Sequence, residues 1–372
     1  MSRVLFVSKP IAPPFDDGTK NLVRDLAEAL GGEAEVLVPR GAEGPGRRAV
    51  FAPGEAGHAL SNAGALRLVA HLLTAPLPPV LHWVFTPSPR SAALPSLIAR
   101  ARRRAAVWTI PSRPASGFRF GPLDGIARVF VFSPGTRSAL IEAGAAADRI
   151  EVIDPWLREV EVPSAERVAR ARALLGLPGR ITLFAGDLGE GRGAEELLEA
   201  FAEVRTPEDR LLVAARPKGE GARAARRRFV ERVRELGVGA QVRVEGAVDD
   251  MAALLAASDV VALPARRLDA KVDVPLVLLE ALALGRPVLV AEGSSAAVLA
   301  ERGAALAAPA TPEGIGAALV RLWASPEARR ELAERGRALV RSEHAPRRLA
   351  QHHRTLYQSL AQAPFGGWSA PR

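Results

Sequence analysis

Short runs of Val, Ile, Leu, Phe and Ala alternate with longer amphipathic stretches, and this alternation runs through the chain twice. The apolar runs of the first pass are residues 3–8, 35–39, 80–85, 106–110, 127–133 and 149–154; those of the second are 180–185, 211–215, 241–246, 259–264 and 287–291. Most of these runs lack polar alternation and predict strands covered on both faces, as in parallel sheets, while 149–154 and 241–246 alternate. Helical stretches lie between them, among them 21–30, 59–74, 91–104, 136–143, 194–204 and 223–236. Several end at glycine, a common helix stop. Strand, helix, strand repeated in one sense builds a doubly wound α/β domain, whose ligands bind beyond the carboxyl ends of the strands. Two such domains are expected: residues 1–158 and 180–345, joined by a linker over 159–179.

Length and composition agree with two cores, at 372 residues and 48% hydrophobic. The absence of cysteine excludes a disulfide framework and thiolate chemistry, and fits a cytoplasmic setting. The first strand begins at once, with no signal-peptide pattern ahead of it. No apolar run approaches the roughly 18 residues of a membrane span. Net charge is +9 with aromatics at 5%, so an anionic partner and a plain Arg bias both remain open. Without aromatics interleaved among the basic clusters, nucleic acid is disfavoured. The cluster Arg100, Arg102, Arg103 and Arg104 is accounted for by the favourable placing of cations at a helix C-terminus, with a membrane-facing role the lesser alternative. Only four of 50 basic residues are lysine: Lys9, Lys20, Lys218 and Lys271. In a chain that otherwise uses Arg, a Lys marks either a place for a compact point charge or simple loop exposure.

Residues 269–290 concentrate the chemistry. A charged loop (Asp269, Lys271, Asp273) leads to Pro275, placed as the first helical residue. An apolar helix from Leu276 carries one carboxylate, Glu280, then Gly285 stops it and 288–290 starts a strand. A buried carboxylate is costly unless it is paired or used. The unpaired N–H groups at such a helix start form an anion site. The loop 186–193, with Gly186, Asp187, Gly189, Gly191, Arg192 and Gly193, follows a strand and opens another helix. Arg216 and Lys218 follow the next strand, and Gly293, Ser294 and Ser295 a later one.

The 269–290 stretch resembles the donor-binding signature of the family-4 (group 1) retaining glycosyltransferases, which adopt the two-domain GT-B fold. Pro275, Glu280, Ala281, Gly285, Pro287 and Val288 match that pattern, whereas Val272, with Asp273 beside it, stands where the family has its first Glu. Loop 186–193 resembles the family's diphosphate loop: Gly186, Leu188 and Gly193 match, Arg192 stands for the Lys, and Asp187 replaces the first basic residue. Pro111 stands near where many members carry a histidine against the transferred sugar.

The resemblance implies two Rossmann-like domains facing a central cleft, with the acceptor on the first and the donor on the second. It also implies a last helix, 346–362, crossing back to the first domain; residues 363–372 read as a disordered tail. The implied activity is metal-independent, retaining transfer from a nucleotide-diphospho-sugar co-substrate to a glycan, lipid-linked or small-molecule acceptor, as in polysaccharide biosynthesis, with no cofactor. Glu280 is implied to hold the ribose hydroxyls. Arg192, with Arg216, Lys218 or Lys271, is implied to stabilise the leaving diphosphate, aided by backbone at Pro275 and Leu276. Val248 lies in the loop after Gly246 implied to pack on the base, just before a helix cap placed at Asp249. Asp273 is the candidate for the sugar contact of the missing Glu. Gly18, Thr19 and Lys20 are the acceptor-side loop. His82, near a strand's carboxyl end, is either a hydrogen-bonded core residue or a cleft histidine. The departures at Val272, Asp187 and Pro111 keep open a catalytically degenerate GT-B protein acting as a nucleotide-binding or scaffold partner. A different sugar-nucleotide enzyme on the same fold, such as an epimerase or synthase, is the lesser alternative. The basic surface also allows peripheral contact with an anionic membrane.

Overall fold

The computed structural model describes residues 3–367 apart from 16, 56, 58, 59, 116, 121, 122, 124, 177, 178, 217–219 and 269–271. It divides into two units. The first comprises the chain up to Arg158, the short stretch ending at Asp273, and the chain from Glu343 onward; the second comprises the remainder.

The first unit contains β1 (Val4–Val7), α1 (Gly18–Leu30), β2 (Ala34–Pro39), β3 (Arg47–Phe51), α2 (Asn62–Thr74), β4 (Val80–Val84), α3 (Leu94–Arg102), β5 (Ala105–Ile110), β6 (Ile126–Val131), α4 (Pro134–Glu142) and β7 (Ile150–Val152). Its seven strands run parallel in the order β3-β2-β1-β4-β5-β6-β7. The order reverses between β1 and β4, with Val4 opposite Val80. One face of this sheet packs Leu5, Leu81, Trp83 and Trp108 under Leu68 and Leu72 of α2 and Ile98 of α3.

The second unit contains α5 (Ala165–Leu175), β8 (Arg180–Ala185), α6 (Ala194–Val204), β9 (Asp209–Ala214), α7 (Glu220–Glu235), β10 (Val242–Glu245), α8 (Met251–Ala257), β11 (Val260–Leu263), α9 (Leu276–Ala283), β12 (Val288–Ala291), α10 (Val298–Glu301), β13 (Leu306–Ala308), α11 (Pro312–Ala324) and α12 (Pro326–Glu343). Its six strands run parallel in the order β10-β9-β8-β11-β12-β13, reversing between β8 and β11. The region 164–175 forms α5, which packs on α8 within this unit. Arg167 there makes two hydrogen bonds to the Asp250 carboxylate, 2.9 and 3.1 Å.

The last helix, α13 (Pro346–Gln362), belongs to the first unit and packs on α1. Arg354 pairs with Glu33 at 2.6 Å. The fully buried His353 and Tyr357 of α13 lie against the rings of His82 on β4. Phe6, on β1, touches the same histidine from the sheet.

Three local differences from the sequence reading have physical causes. α1 starts at Gly18 because Asp17 caps it, accepting from the Lys20 N–H at 3.1 Å. Asp250, not Asp249, caps α8, accepting from the Ala253 N–H. β3 and β13 were absent from the sequence reading: β3 begins with two arginines and β13 is a three-residue edge strand.

Candidate functional site

The reversal point of the second sheet lies between the carboxyl ends of β8 and β11, and the two loops there are tied together. Gly193 sits at φ 82°, and a Cβ on it would lie 2.5 Å from the Pro264 carbonyl after β11. Only glycine permits both the left-handed backbone and that approach. The Arg267 N–H donates to the Gly191 carbonyl at 3.1 Å, and the Arg192 guanidinium donates to the Arg267 carbonyl at 2.9 Å. The Arg192 side chain thus braces one loop on the other. Glycine also leaves α6 without a side-chain cap at its N-terminus.

Around this point stand two cations that the sequence reading did not single out. Arg266 pairs with Glu196 in the first turn of α6 at 2.8 Å, and the stem of Arg267 lies against Gly191. Their signal was an Arg-Arg pair just past a strand's carboxyl end. Asp187 is half-buried in the same loop. Arg216, after β9, is partly buried, and burial pulls its guanidinium below the ordinary value. Val248 is half-buried between β10 and α8. Lys218 and Lys271 lie outside the described residues.

Pro275 precedes α9 as its cap, at ψ 129°, rather than forming its first helical residue. Leu276 is buried, as are Leu278, Leu279, Ala281 and Leu282, while Val277, Glu280 and Ala283 are half-buried. Their spacing of three places them on one stripe. Glu280 is therefore held by an otherwise sealed helix on its least covered strip, a more economical position for a carboxylate than the full burial suggested by the apolar run. Ser294, after β12, turns its hydroxyl back to the Ala291 carbonyl at 2.7 Å.

The first unit holds the other sequence candidates. Gly18, Thr19 and Lys20 form the first turn of α1 and not a loop. Lys20 is fully buried, with Nζ 3.3 Å from the Ala12 carbonyl; burial lowers its ammonium, partly opposed by Asp17. It presents no surface to an acceptor. His82 is also fully buried, its Nδ1 2.5 Å from the Tyr357 hydroxyl and its Nε2 2.7 Å from Thr109 Oγ1. Burial holds it neutral, well below the ordinary histidine value. It is the hydrogen-bonded core histidine of the two readings, and the sequence could not have named its partner on α13. Asp273 is buried; its carboxylate accepts from the Ser133 hydroxyl at 2.7 Å and its N–H donates to the Pro111 carbonyl at 2.8 Å.

Among the described residues, no group of three or more His, Asp or Glu side chains is gathered so as to hold a metal ion. None of the described helices is long and apolar enough to cross a membrane.

The loops at the second sheet's reversal point lie in a segment that matches a family model. Residues 179–325 match the family model described as "Glycosyl transferases group 1". That match spans β8 to the end of α11 and so contains the β8/β11 reversal, Glu280 and Val248. No curated protein matches the chain at the sequence level. Solved structures agree with the GT-B fold over nearly the whole length. HepE (Alr3699) from Anabaena, crystallised with UDP and glucose, is 18% identical with a TM-score of 0.76, covering 96% of this chain and 100% of its own. Sucrose-phosphate synthase from Thermosynechococcus elongatus is 20% identical with a TM-score of 0.75, covering 97% and 99%. The N-terminal domain of Candida albicans trehalose-6-phosphate phosphatase is 12% identical with a TM-score of 0.74, covering 97% of each chain. Identities this low establish the shared fold. The group 1 match supports sugar transfer as the chemistry.

Proposed function

We propose that the protein is a family-4, retaining, metal-independent glycosyltransferase that takes its nucleotide-diphospho-sugar on the second unit. The observation that carries this reading is the junction of loops 186–193 and 264–268, where a glycine-capped helix start, Arg192 and Arg267 meet within the group 1 match. In transfer, the bond from the anomeric carbon to the diphosphate oxygen breaks and the acceptor oxygen bonds that carbon. Negative charge builds on the departing diphosphate, and preorganised N–H groups and cations are the groups that lower this barrier. Arg192, Arg216, Lys218 and Lys271 are proposed for that role, with the backbone at the start of α6 and at Pro275 and Leu276. Glu280 accepts from the ribose hydroxyls, Gly186 and Gly193 let the backbone approach the phosphates, and Val248 packs on the base. Asp273 is proposed for a sugar hydroxyl. The acceptor side is proposed for the first unit near Gly18 and Thr19. Setting aside the fully buried His82 and Lys20 leaves no proposed role for them in binding or catalysis.

UDP is the first donor nucleotide to try, since HepE was crystallised with it. Thermal stabilisation by UDP, other nucleoside diphosphates and their sugars, with Glu280→Ala as control, tests the reading. A rise with one base, reduced about tenfold or more in affinity in the variant, is expected for loss of a charged hydrogen-bond acceptor. No rise with any nucleotide overturns it in favour of the degenerate, scaffolding protein. Turnover unchanged in Asp273→Ala removes that residue from the site.

A further inference from the structure

The glycine loops of the second unit stand at the carboxyl ends of its strands. At the opposite, amino ends of β11 and β12, arginines gather. Asp259 directly precedes β11, and Arg286 lies just ahead of β12. Two helices also finish here, α8 at Ser258 and α9 at Leu284. Arg172, from α5, donates to the Ala257 carbonyl through Nε at 3.1 Å and Nη2 at 2.8 Å, and its Nη2 is 3.3 Å from the Asp259 carboxylate. That carboxylate also accepts from the Ile181 N–H at 2.8 Å. Arg286 Nη1 donates to the Ser258 carbonyl at 3.2 Å. Cations meeting the last carbonyls of a helix account for this much.

They do not account for the remainder. Arg286 Nε is buried and has no hydrogen-bond partner among the described residues. With Nη1 given to Ser258, the Nε and Nη2 edge is left over, the side of a guanidinium that grips an oxyanion through two parallel N–H bonds. A second cation stands close by. Gly285 sits at φ 68°, and a Cβ on it would fall among the guanidinium nitrogens of Arg337. α12 is held close to α9 here, since a Cβ on Gly336 would lie 2.6 Å from Leu282 Cδ2. Arg337 is exposed, and no carboxylate pairs with it among the described residues. Burial pulls the Arg286 guanidinium below its ordinary value; Asp259 opposes this, while Arg337 and Arg172 add to it. Three like charges thus share the influence of one carboxylate that is already bonded twice. Half-buried cations in that position gain from a counter-charge that also accepts hydrogen bonds.

We propose that Arg286 and Arg337 bind a phosphate group at this end of the second unit, as the free ion or as a phosphomonoester. The Arg286 fork supplies the directed contacts, and the exposed Arg337 supplies charge and a way in from solvent. The site lies across the sheet from the glycine loops and does not depend on the donor assignment. An occupant would rest against the C-terminal end of α9, the helix that carries Glu280.

The test is thermal unfolding of the full chain titrated with inorganic phosphate or glycerol 3-phosphate, against sodium chloride at equal ionic strength. Phosphate also stabilises proteins by exclusion from their surface, so the readout is the saturable part of the rise. Arg337→Gln and Arg286→Lys are each expected to lower phosphate affinity about tenfold or more. Arg337→Gln removes an exposed side chain and should melt as wild type does without phosphate. Arg286→Lys keeps the charge and loses the fork. Tighter binding of the ester makes a phosphorylated small molecule the occupant; tighter binding of inorganic phosphate makes it the free ion. No saturable rise in wild type overturns the proposal, as does an equal rise in wild type and both variants, which would place the phosphate elsewhere. The shift with UDP should persist in Arg337→Gln, and the phosphate shift in Glu280→Ala. A failed nucleotide shift beside an intact phosphate shift removes the donor reading alone.

Discussion

The two units share a strand order at their centres and treat the same position in opposite ways. In each, the first strand feeds a helix at the point where the order reverses. In the first unit that helix end is already occupied. Asp17 lends its carboxylate to the Lys20 N–H, Lys9 pairs with Asp17 at 2.8 Å, and Lys20 turns inward to the Ala12 carbonyl. In the second unit the equivalent helix is capped by Gly193, which offers no side chain. A carboxylate cap satisfies helix-end donors from within, whereas a glycine cap leaves that task to something else. One fold thus supplies a self-sealed helix end and one suited to an anionic ligand. The choice rests on a single residue at each junction.

The largest effect is expected from breaking the open end. Gly193→Ala forces a Cβ into the Pro264 backbone at a left-handed φ, and should cost about 3 kcal/mol and abolish the nucleotide-induced thermal shift. A variant that melts like wild type and binds UDP normally would break the comparison.

The next effect separates the units by pH. Burial holds His353 down to about 4, and His82 well below its ordinary value, the two rings stacked 5.5 Å apart in the first unit. The unfolded chain takes up these protons near 6.5. Between roughly 6.5 and 4 it therefore binds more protons than the folded form, so stability is complete above that window and falls as pH is lowered through it. Urea unfolding followed by tryptophan fluorescence, which Trp83, Trp108 and Trp156 report from the first unit, should show this slope. His353→Phe should flatten it, and an unchanged slope would place the acid sensitivity elsewhere.

The smallest effect sharpens the contrast from the sealed side. Asp17→Ala removes a cap worth about 1 kcal/mol and leaves Lys9 without that partner, yet nucleotide affinity should remain that of wild type. An altered affinity would mean that the first unit's helix end takes part in donor binding after all.

What the sequence disclosed and what it concealed follow the same physical divide. The two parallel sheets were legible because doubly covered strands leave unbroken apolar runs such as 180–185 and 259–264. Gly186, Gly193 and Glu280 stood out because each departs locally from its surroundings. Two of the four edge strands did not: β3 carries Arg47 and Arg48 on a half-solvated border, and β13 is only Leu306–Ala308. Residues whose meaning depends on a distant partner were equally opaque. Lys20 looked like a loop cation because nothing nearby announces the Ala12 carbonyl. His82 could be read two ways because Tyr357 lies 275 positions away. Arg192 showed its charge but not its bond to the Arg267 backbone.

The place of α13 in the chain has a consequence for biogenesis. It seals the sheet face that bears Phe6, His82 and Phe130, yet the whole second unit lies between it and that sheet in the order of translation. As the ribosome works, the first unit emerges with that side of its sheet only partly covered, by α1. It stays so while about half the chain is still being made, although units generally fold as they emerge. The protein's first-made core is thus its last completed, and the nascent chain carries an apolar sheet face that a chaperone can hold until the final helix arrives.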